Sequence, residues 1–237
     1  MLTVYYYDFD DQPIVETKQL TRIYKLDDVT VYGLREVDIK AHPREIVGIT
    51  GPSGSGKSTL LNLIGAIDRP TGGSIVSCGQ NLEKLSEKEL SDYRRKKIGF
   101  VFQFRNLNPV LSVKGNIELP LILDGVPRSE RKKRIAELVK AFNIQNLENR
   151  PISILSGGER QLVAVAVALA NNPPLILADE PTGELDSKNA GRIIMLLREL
   201  KERFGKTVLL VSHDRAVMQI ADRVIRLQDG RVVRQMD

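Results

Sequence analysis

The sequence has a single cysteine, no apolar run long enough to cross a membrane, and no basic and apolar segment at its start. With Cys78 alone, no internal disulfide can form, which favours a reducing compartment. The longest apolar run covers residues 162–170, and a membrane helix needs roughly 18–20 residues. The N-terminus carries Asp8, Asp10 and Asp11 instead of the features of a signal peptide. We therefore expect a soluble, cytoplasmic chain.

The composition is that of a folded chain with a moderately basic surface. Hydrophobic residues make up 42% of the 237 positions, enough for a substantial core. The formal net charge is +5, and two basic runs stand out at residues 94–97 and 131–134. A basic surface can attract nucleotides, nucleic acid or anionic lipid headgroups. Because no aromatic residue interleaves with either run, we interpret both as solvated faces and expect no nucleic-acid partner.

The pattern of apolar residues predicts an α/β fold. Residues 175–178 and 208–211 are continuous apolar runs that end in polar residues, as strands of a parallel sheet do when both faces are buried. Helical patterns alternate with them, and Asp229-Gly230 between two strand-like runs predicts a hairpin. We predict one domain over residues 1–237, interrupted by a mostly helical subdomain at about residues 103–151. Residues 1–18 are predicted to be an N-terminal extension, either an extra edge strand or a loose arm.

A glycine-rich loop follows the strand predicted at residues 45–50. It matches the pattern of a glycine, four residues and Gly-Lys-Ser, and a helix follows it. Glycines bring backbone N–H groups close to phosphate oxygens, and the helix start adds partial positive charge. Lys57 can then reach the β- and γ-phosphates, and the Ser58 hydroxyl can ligate Mg²⁺. We predict that the nucleotide is bound by Gly51, Ser53, Gly54, Ser55, Gly56, Lys57, Ser58 and Thr59.

Two carboxylates, Asp179 and Glu180, end the apolar run at residues 175–178. Two acidic residues at a loop start would mean little alone, but the phosphate-binding loop upstream favours a functional role. The segment has the form of a Walker B motif. Asp179 would hold Mg²⁺, and Glu180 would polarise the attacking water as a general base.

A further glycine-containing segment, Leu-Ser-Gly-Gly-Glu at residues 155–159, lies between these two motifs. A serine and two glycines at a helix start form a second phosphate-binding surface. The segment and its position resemble the signature of ABC (ATP-binding cassette) ATPases. The resemblance implies a P-loop NTPase core with an antiparallel β subdomain and an inserted helical subdomain. It also implies a head-to-tail dimer, in which the ATP site of one subunit is closed by the partner's copies of Ser156, Gly157, Gly158 and Glu159.

The same resemblance implies roles for three residues outside these motifs. Gln103 matches the glutamine that senses Mg²⁺ and γ-phosphate and begins the helical subdomain. Asp186 matches the loop that crosses between subunits. His213 matches the histidine that contacts γ-phosphate and organises Glu180. The implied catalytic residues are thus Glu180, His213, Lys57 and Gln103, and the implied metal ligands are Ser58, Gln103 and Asp179.

The aromatic residue that stacks on adenine in this family is matched by Tyr24. Tyr32 and the tyrosines at residues 5–7 compete for this role. For the histidine there is less competition. His42, the only other histidine, lies in a loop-like stretch and is expected to be an exposed surface residue.

Residues 86–103 and 182–186 resemble one branch of the family. That branch contains ATP-binding subunits for lipoprotein release, macrolide export and related efflux, and a cell-division member. The resemblance implies an ATPase that binds ATP and Mg²⁺, pairs with a second copy of itself, and powers export or extrusion through a separate transmembrane permease. Through that permease it would lie on the inner face of the cell membrane.

Two other functions are weighed against transport. An ATP-switched regulator of a membrane complex is the alternative, and stimulation of ATPase activity by a candidate substrate separates it from a transporter. A nucleic-acid-linked protein is disfavoured, since the chain has one cassette and no long coiled-coil insertion.

Four positions depart from the usual pattern of the family. Arg160 stands where glutamine is common, Leu162 and Val167 stand where arginine is common, and Glu184 stands where asparagine is common. None of these changes removes a phosphate ligand, so we expect them to act on subunit coupling or basal turnover.

Replacing Glu180 by glutamine tests its role as general base. Because such a base contributes roughly 10²–10⁴-fold in rate, Glu180→Gln should bind ATP but hydrolyse it at least about a hundredfold more slowly. Phosphate release and binding of a fluorescent ATP analogue measure the two properties separately. Near-normal turnover by the variant would remove Glu180 from this role.

Overall fold

The computed structural model describes residues 12–27, 29–102 and 107–236. These ranges contain ten strands, seven α-helices and three short 3₁₀ helices. The strands are β1 (Val15–Leu26), β2 (Val29–Ala41), β3 (Ile46–Thr50), β4 (Gly72–Ser77), β5 (Gln80–Asn81), β6 (Ile98–Phe102), β7 (Leu175–Asp179), β8 (Thr207–Val211), β9 (Arg223–Gln228) and β10 (Arg231–Met236). The α-helices are α1 (Lys57–Ile64), α2 (Glu87–Lys97), α3 (Val113–Leu123), α4 (Arg128–Ala141), α5 (Gly157–Ala168), α6 (Ser187–Glu202) and α7 (Arg215–Met218). The 3₁₀ helices are Leu82–Lys84, Gln145–Leu147 and Ile152–Ile154.

The strands form two sheets. The larger has the order β10-β9-β3-β8-β7-β6, and all its pairs are parallel except β9 with β10. The smaller is antiparallel, with the order β2-β1-β4-β5. This arrangement confirms the α/β fold with an antiparallel subdomain. The predicted hairpin is also present, with Asp229 and Gly230 at its turn and both at positive φ.

The strands of the larger sheet are buried on both faces. In β7, Leu175 and Leu177 pack in one core cluster with α1 and the antiparallel sheet. Ile176 and Ala178 point the other way, into a second cluster with α3, α4, α5 and α6. Because both faces of β7 and β8 pack in a hydrophobic core, every position at residues 175–178 and 208–211 is apolar, as the runs in the sequence predicted.

The predicted helical insertion contains α3 and α4, separated by a turn at residues 124–127. Two arginines of α4 hold it in place. Arg131 donates to Glu118 on α3 (2.9 Å), and Arg134 donates to the carbonyls of Leu169 and Ala170 (2.7 and 3.1 Å), just after α5. The interpretation of residues 131–134 as a solvated face is therefore wrong for these two residues. Within the described ranges, no helix has the length and apolarity to cross a membrane.

The predicted N-terminal extension ends in the wrong place. Val15 pairs with Ala41 on β2 and with Ser77 on β4, so β1 begins inside the predicted extension and is an interior strand. Buried Val15 and Thr17 alternate with the more exposed Glu16 and Lys18, the period of a strand with one buried face. Residues 1–11 lie outside the described residues.

One lysine is buried where the loop after α5 meets the core. Lys206, directly before β8, is only 2% exposed. Its ammonium group donates to the side-chain oxygen of Asn172 (2.7 Å) and to the carbonyl of the same residue (3.3 Å). Burial, assisted by the nearby charge of Arg134, lowers the pKa of Lys206 to about 7.

The low pKa of Lys206 predicts a specific dependence of stability on pH. Between pH 7 and about pH 10 the unfolded chain binds this proton and the folded chain does not, so the free energy of unfolding should rise with pH by up to about 1.4 kcal/mol per unit. Below pH 7 Lys206 adds no pH dependence to the free energy of unfolding, because it is protonated in both the folded and the unfolded state. Urea denaturation at a series of pH values should show that Lys206→Met flattens this rise. The exposed Lys133→Met is the control, and equal profiles for the two variants would contradict the prediction.

Candidate functional site

The phosphate loop and the residues that follow β7 and β8 meet at one edge of the larger sheet. β3 leads into the glycine-rich loop, β7 into Glu180, and β8 into Ser212 and His213. Since these strands are parallel, their carboxyl ends lie at the same edge, which is where ligands bind in open α/β sheets. The N–H of Glu180 donates to the carbonyl of Val211 (2.9 Å), which ties the end of β7 to the end of β8.

The glycine-rich loop is shaped by close backbone packing. Gly56 has a φ of 99°, and a Cβ at this position would lie 2.3 Å from the carbonyl oxygen of Gly33. Only glycine fits there. The ammonium group of Lys57 donates to the carbonyls of Gly51 (2.9 Å) and Pro52 (2.8 Å), so its charge is held over the loop.

The loop has unused hydrogen-bonding capacity that suits a polyphosphate. The hydroxyl oxygen of Ser55 is buried and has no hydrogen-bond partner. The first N–H groups of α1 have no acceptor within the helix, because the first four never do. With the charge of Lys57, these donors could hold the phosphates of a nucleotide.

Ser58 and Asp179 offer oxygen ligands to a magnesium ion. The side chains of the two residues are hydrogen-bonded to each other. Burial raises the pKa of Asp179, and the charge of Glu180 adds to this rise, whereas the hydrogen bond from Ser58 and the charge of Lys57 oppose it. Within the described residues no three His, Cys, Asp or Glu side chains cluster to hold a metal alone. Phosphate oxygens would have to complete the coordination of Mg²⁺, as they commonly do.

The carboxylate of Glu180 is held in a fixed direction. Its Oε1 lies 2.9 Å from Nδ1 of His213, and its Oε2 accepts a hydrogen bond from Ser212 (3.2 Å). The backbone of Glu180 has a φ of 47°, in the left-handed region that is uncommon for non-glycine residues. Ser212 was not predicted from the sequence, although its position next to His213 is the signal that could have identified it.

The segment at residues 155–159 and the loop at Asp186 adjoin each other. Ser156 caps the start of α5 and is bonded reciprocally to Glu159, whose pKa is lowered by hydrogen bonds from the backbone and side chain of Ser156. Asp186 caps α6 and accepts a hydrogen bond from the N–H of Asn189 (2.9 Å). The Asn189 side chain lies against Gly158, where a Cβ would approach it to 2.4 Å.

Residues 155–159 and Asp186 form a second surface of the chain, distinct from the phosphate loop at residues 51–58. Among the described residues, no hydrogen bond or ion pair joins residues 155–159 to residues 51–58. In the described part of the chain, the two glycine-containing segments are therefore not joined by a hydrogen bond or an ion pair.

Tyr24 lies beside the phosphate loop. A Cβ on Gly33 would lie 2.8 Å from Cε2 of Tyr24 and 3.0 Å from Cγ2 of Thr59, so the three residues are in close contact. The competing Tyr32 has the guanidinium of Arg35 stacked 3.9 Å from its ring centroid. Gly33 was not predicted, since its importance depends on contacts with residues far away in sequence. Gln103 and residues 5–7 lie outside the described residues, and the role of Gln103 stays a prediction.

Strands that deliver a lysine-bearing phosphate loop and a fixed pair of carboxylates to one edge are the arrangement of a P-loop ATPase. The sequence identifies the family more narrowly. Residues 34–183 match the ABC transporter family, and the protein belongs to it. It is an ATP-binding ATPase of this family, as the resemblance at residues 155–159 implied.

Individual relatives agree with this assignment. MJ0796 of Methanocaldococcus jannaschii, an uncharacterized ABC transporter ATP-binding protein, is 46% identical over 226 residues, which cover 94% of this chain and 96% of MJ0796. A dimeric post-hydrolysis structure of MJ0796 bound to ADP and Pi has a TM-score of 0.87 and 45% identity, and covers 94% of this chain and 98% of that one.

Two further relatives have names that state what is exported or released. The lipoprotein-releasing system ATP-binding protein LolD of Bacteroides fragilis is 43% identical over 200 residues, which cover 84% of this chain and 93% of LolD. The macrolide export ATP-binding/permease protein MacB of Nitrobacter winogradskyi is 43% identical over 222 residues, or 93% of this chain and 34% of MacB. The chain thus spans about one third of MacB.

The contact between His213 and Glu180 should be visible in the protonation of the histidine. A hydrogen bond to Glu180 and attraction to its charge raise the pKa of His213 above its ordinary value. In the nucleotide-free protein, an NMR titration should show His213 losing its proton at higher pH than in Glu180→Gln. The signal of His42 serves as the reference. Identical His213 midpoints in the two proteins would show that the pair does not form in solution.

Proposed function

We propose that the protein is the ATP-hydrolysing subunit of a membrane transporter and works as a dimer closed around two MgATP. The observation that carries this proposal is the division of the site into two surfaces of one chain, the phosphate loop and residues 155–159. A head-to-tail pair would bring each surface onto its counterpart in the other subunit. The dimeric structure of MJ0796 with ADP and Pi supports this arrangement.

The geometry of the site supports hydrolysis by activated water. Lys57 and the N–H groups of the loop would hold the β- and γ-phosphates. Mg²⁺ at Ser58 and Asp179 would supply positive charge against the phosphate oxygens. Glu180 would accept a proton from water as the water oxygen bonds to the γ-phosphorus and the bond to the bridging oxygen of ADP breaks. His213, on the other side of Glu180, would keep the carboxylate aimed and contribute positive charge.

An exposed apolar face on α3 supports a permease partner. Leu119, Ile122 and Leu123 lie on one side of the helix and are 37%, 49% and 64% exposed. Leu123 also lines a groove with Phe100 and Val167. Val167, where the family commonly has arginine, makes this groove more apolar. Exposed apolar clusters of this kind mark interaction sites in soluble proteins.

The names of the relatives support transport over other uses of ATP. LolD is a lipoprotein-releasing ATP-binding protein, and MacB joins an ATP-binding part with a permease for macrolide export. We therefore propose that this chain powers export or extrusion of a lipoprotein, peptide or drug through a permease. The docked subunit would lie at the cytoplasmic face of the membrane.

Capture of the permease tests both the partner and its docking surface. Tagged Glu180→Gln protein with MgATP, recovered from gently solubilised host membranes, should bring down a polytopic membrane protein identified by mass spectrometry. Adding Leu123→Asp should reduce its recovery by at least about tenfold, because a charge would be buried in the interface. Val233→Asp is the matched control, since Val233 is 52% exposed on β10, at the opposite edge of the sheet from β6.

The outcomes separate the candidate functions. Recovery of only soluble complexes, ribosomes or nucleic acid would contradict the transporter proposal. A membrane partner that stimulates ATPase activity without response to any candidate substrate would favour an ATP-switched regulator. Unchanged recovery with Leu123→Asp would place the docking surface elsewhere.

A further inference from the structure

The ring of Tyr24 is held by two charged residues. Its hydroxyl donates a hydrogen bond to Oδ2 of Asp68 (2.9 Å). Arg22, two residues earlier on β1, places its guanidinium carbon 4.6 Å from the ring centroid. Nε and Nη2 of Arg22 each lie 2.8 Å from a different carboxylate oxygen of Asp68, which makes the ion pair bidentate. Arg22, Tyr24 and Asp68 thus form a closed triad, in which each member contacts the other two.

Asp68 is in turn fixed to the helix that carries the phosphate loop. It follows α1, and its N–H donates to the carbonyl of Asn62 (3.2 Å). The side chains of Arg22 and Asp68 are both only 24% exposed, so water competes poorly for this pair. Near the start of α1, Thr59 and the edge of the Tyr24 ring both lie close to Gly33. The ring is therefore held through Asp68 beyond the end of α1 and lies beside Gly33 near its start.

We infer that Asp68 and Arg22 are positioning residues that hold the Tyr24 ring as a platform for the planar base of the nucleotide. This inference rests on the proposed function, in which ATP binds at this site, and on the stacking of Tyr24 on the base, which the resemblance to the family implies. Arg22 covers one face of the ring, so the opposite face is the one that can receive the base. Because the ring is ordered before the nucleotide arrives, binding does not have to immobilise it.

A purely structural role for the triad makes a different prediction. If Arg22 and Asp68 only tied the antiparallel sheet to α1, their loss would disturb the phosphate loop and weaken every phosphate ligand equally. If they position the ring, the loss should be confined to ligands that carry a base. Comparison of ATP with inorganic tripolyphosphate separates the two.

The experiment measures KM and kcat for ATP, and the affinity for tripolyphosphate in the Glu180→Gln background. Asp68→Ala, Arg22→Met and Tyr24→Phe should each raise KM for ATP about five- to tenfold, as expected for losing an interaction with a charged group. In these variants kcat and tripolyphosphate affinity should change by less than about twofold. Asp68→Asn, which keeps an acceptor for the hydroxyl, should retain more affinity for ATP than Asp68→Ala.

Two further variants complete the design. Adding Tyr24→Phe to Asp68→Ala should weaken ATP binding no further, since both changes remove the same hydrogen bond. Arg69→Met is the matched control and should leave KM unchanged. The side chain of Arg69 pairs with Glu87, outside the triad, and the substitution keeps the backbone N–H of Arg69 that donates to Asp68. Thermal melting establishes whether each variant is folded. If Asp68→Ala does not fold, Asp68→Asn and Tyr24→Phe still test the inference.

The outcomes separate this inference from the proposed function. Equal weakening of ATP and tripolyphosphate by Asp68→Ala would overturn the inference. The inference would also be overturned if Asp68→Ala and Arg22→Met left KM for ATP unchanged while Tyr24→Ala raised it. Base stacking by Tyr24 would stand in that case. An unchanged KM for Tyr24→Ala would overturn both the inference and the stacking role of Tyr24, while ATP binding by the phosphate loop would stand.

Discussion

Parallel pairing of β3, β8 and β7 is the constraint on which the rest of the structure depends. Because parallel strands run in one direction, the phosphate loop, Glu180 and His213 all leave the sheet at the same edge. A slip of one residue would turn Asp179 to the other face of the sheet. The register is specified by apolar side chains that pack on both faces of β7 and β8. A hydrophobic core thus determines the geometry of a charged site.

Several groups of the site have conformations or environments that cost free energy in the absence of a ligand. Burial disfavours the ionised form of Asp179, which a cation would stabilise. Glu180 holds a left-handed backbone conformation that costs on the order of 1–3 kcal/mol. Ser55 keeps a buried hydroxyl without a partner. The packing of the two core clusters maintains these features, which leaves the site organised for a phosphate and a cation before either binds.

Features specified by nearby residues were predictable, and features that depend on distant partners were not. The phosphate loop, the strand ending at Asp179 and the hairpin at Asp229-Gly230 each carry their signal within about ten residues, so periodicity and turn chemistry were sufficient. Asp68 contacts Tyr24 across 44 positions, and no local pattern marks it. Arg94 and Arg95 were assigned to a solvated face, yet Arg94 donates to a carbonyl 28 positions away and Arg95 pairs with a carboxylate 29 positions away. Charge runs predict exposure only when no such partner exists.

Helix α5 links the helical insertion to the signature segment at residues 155–159. Its start carries Ser156, capped reciprocally by Glu159, and the carbonyls that follow its end accept hydrogen bonds from Arg134 of α4. The helix dipole makes both ends favourable for these partners, since it attracts anions at the start and cations at the end. No proline or glycine interrupts α5 after Gly158, so its 12 residues act as one rigid element. Arg134 therefore joins α4 to the end of the helix whose start carries Ser156. A residue that the sequence placed in a solvated run thus holds the helical insertion against the helix of the signature.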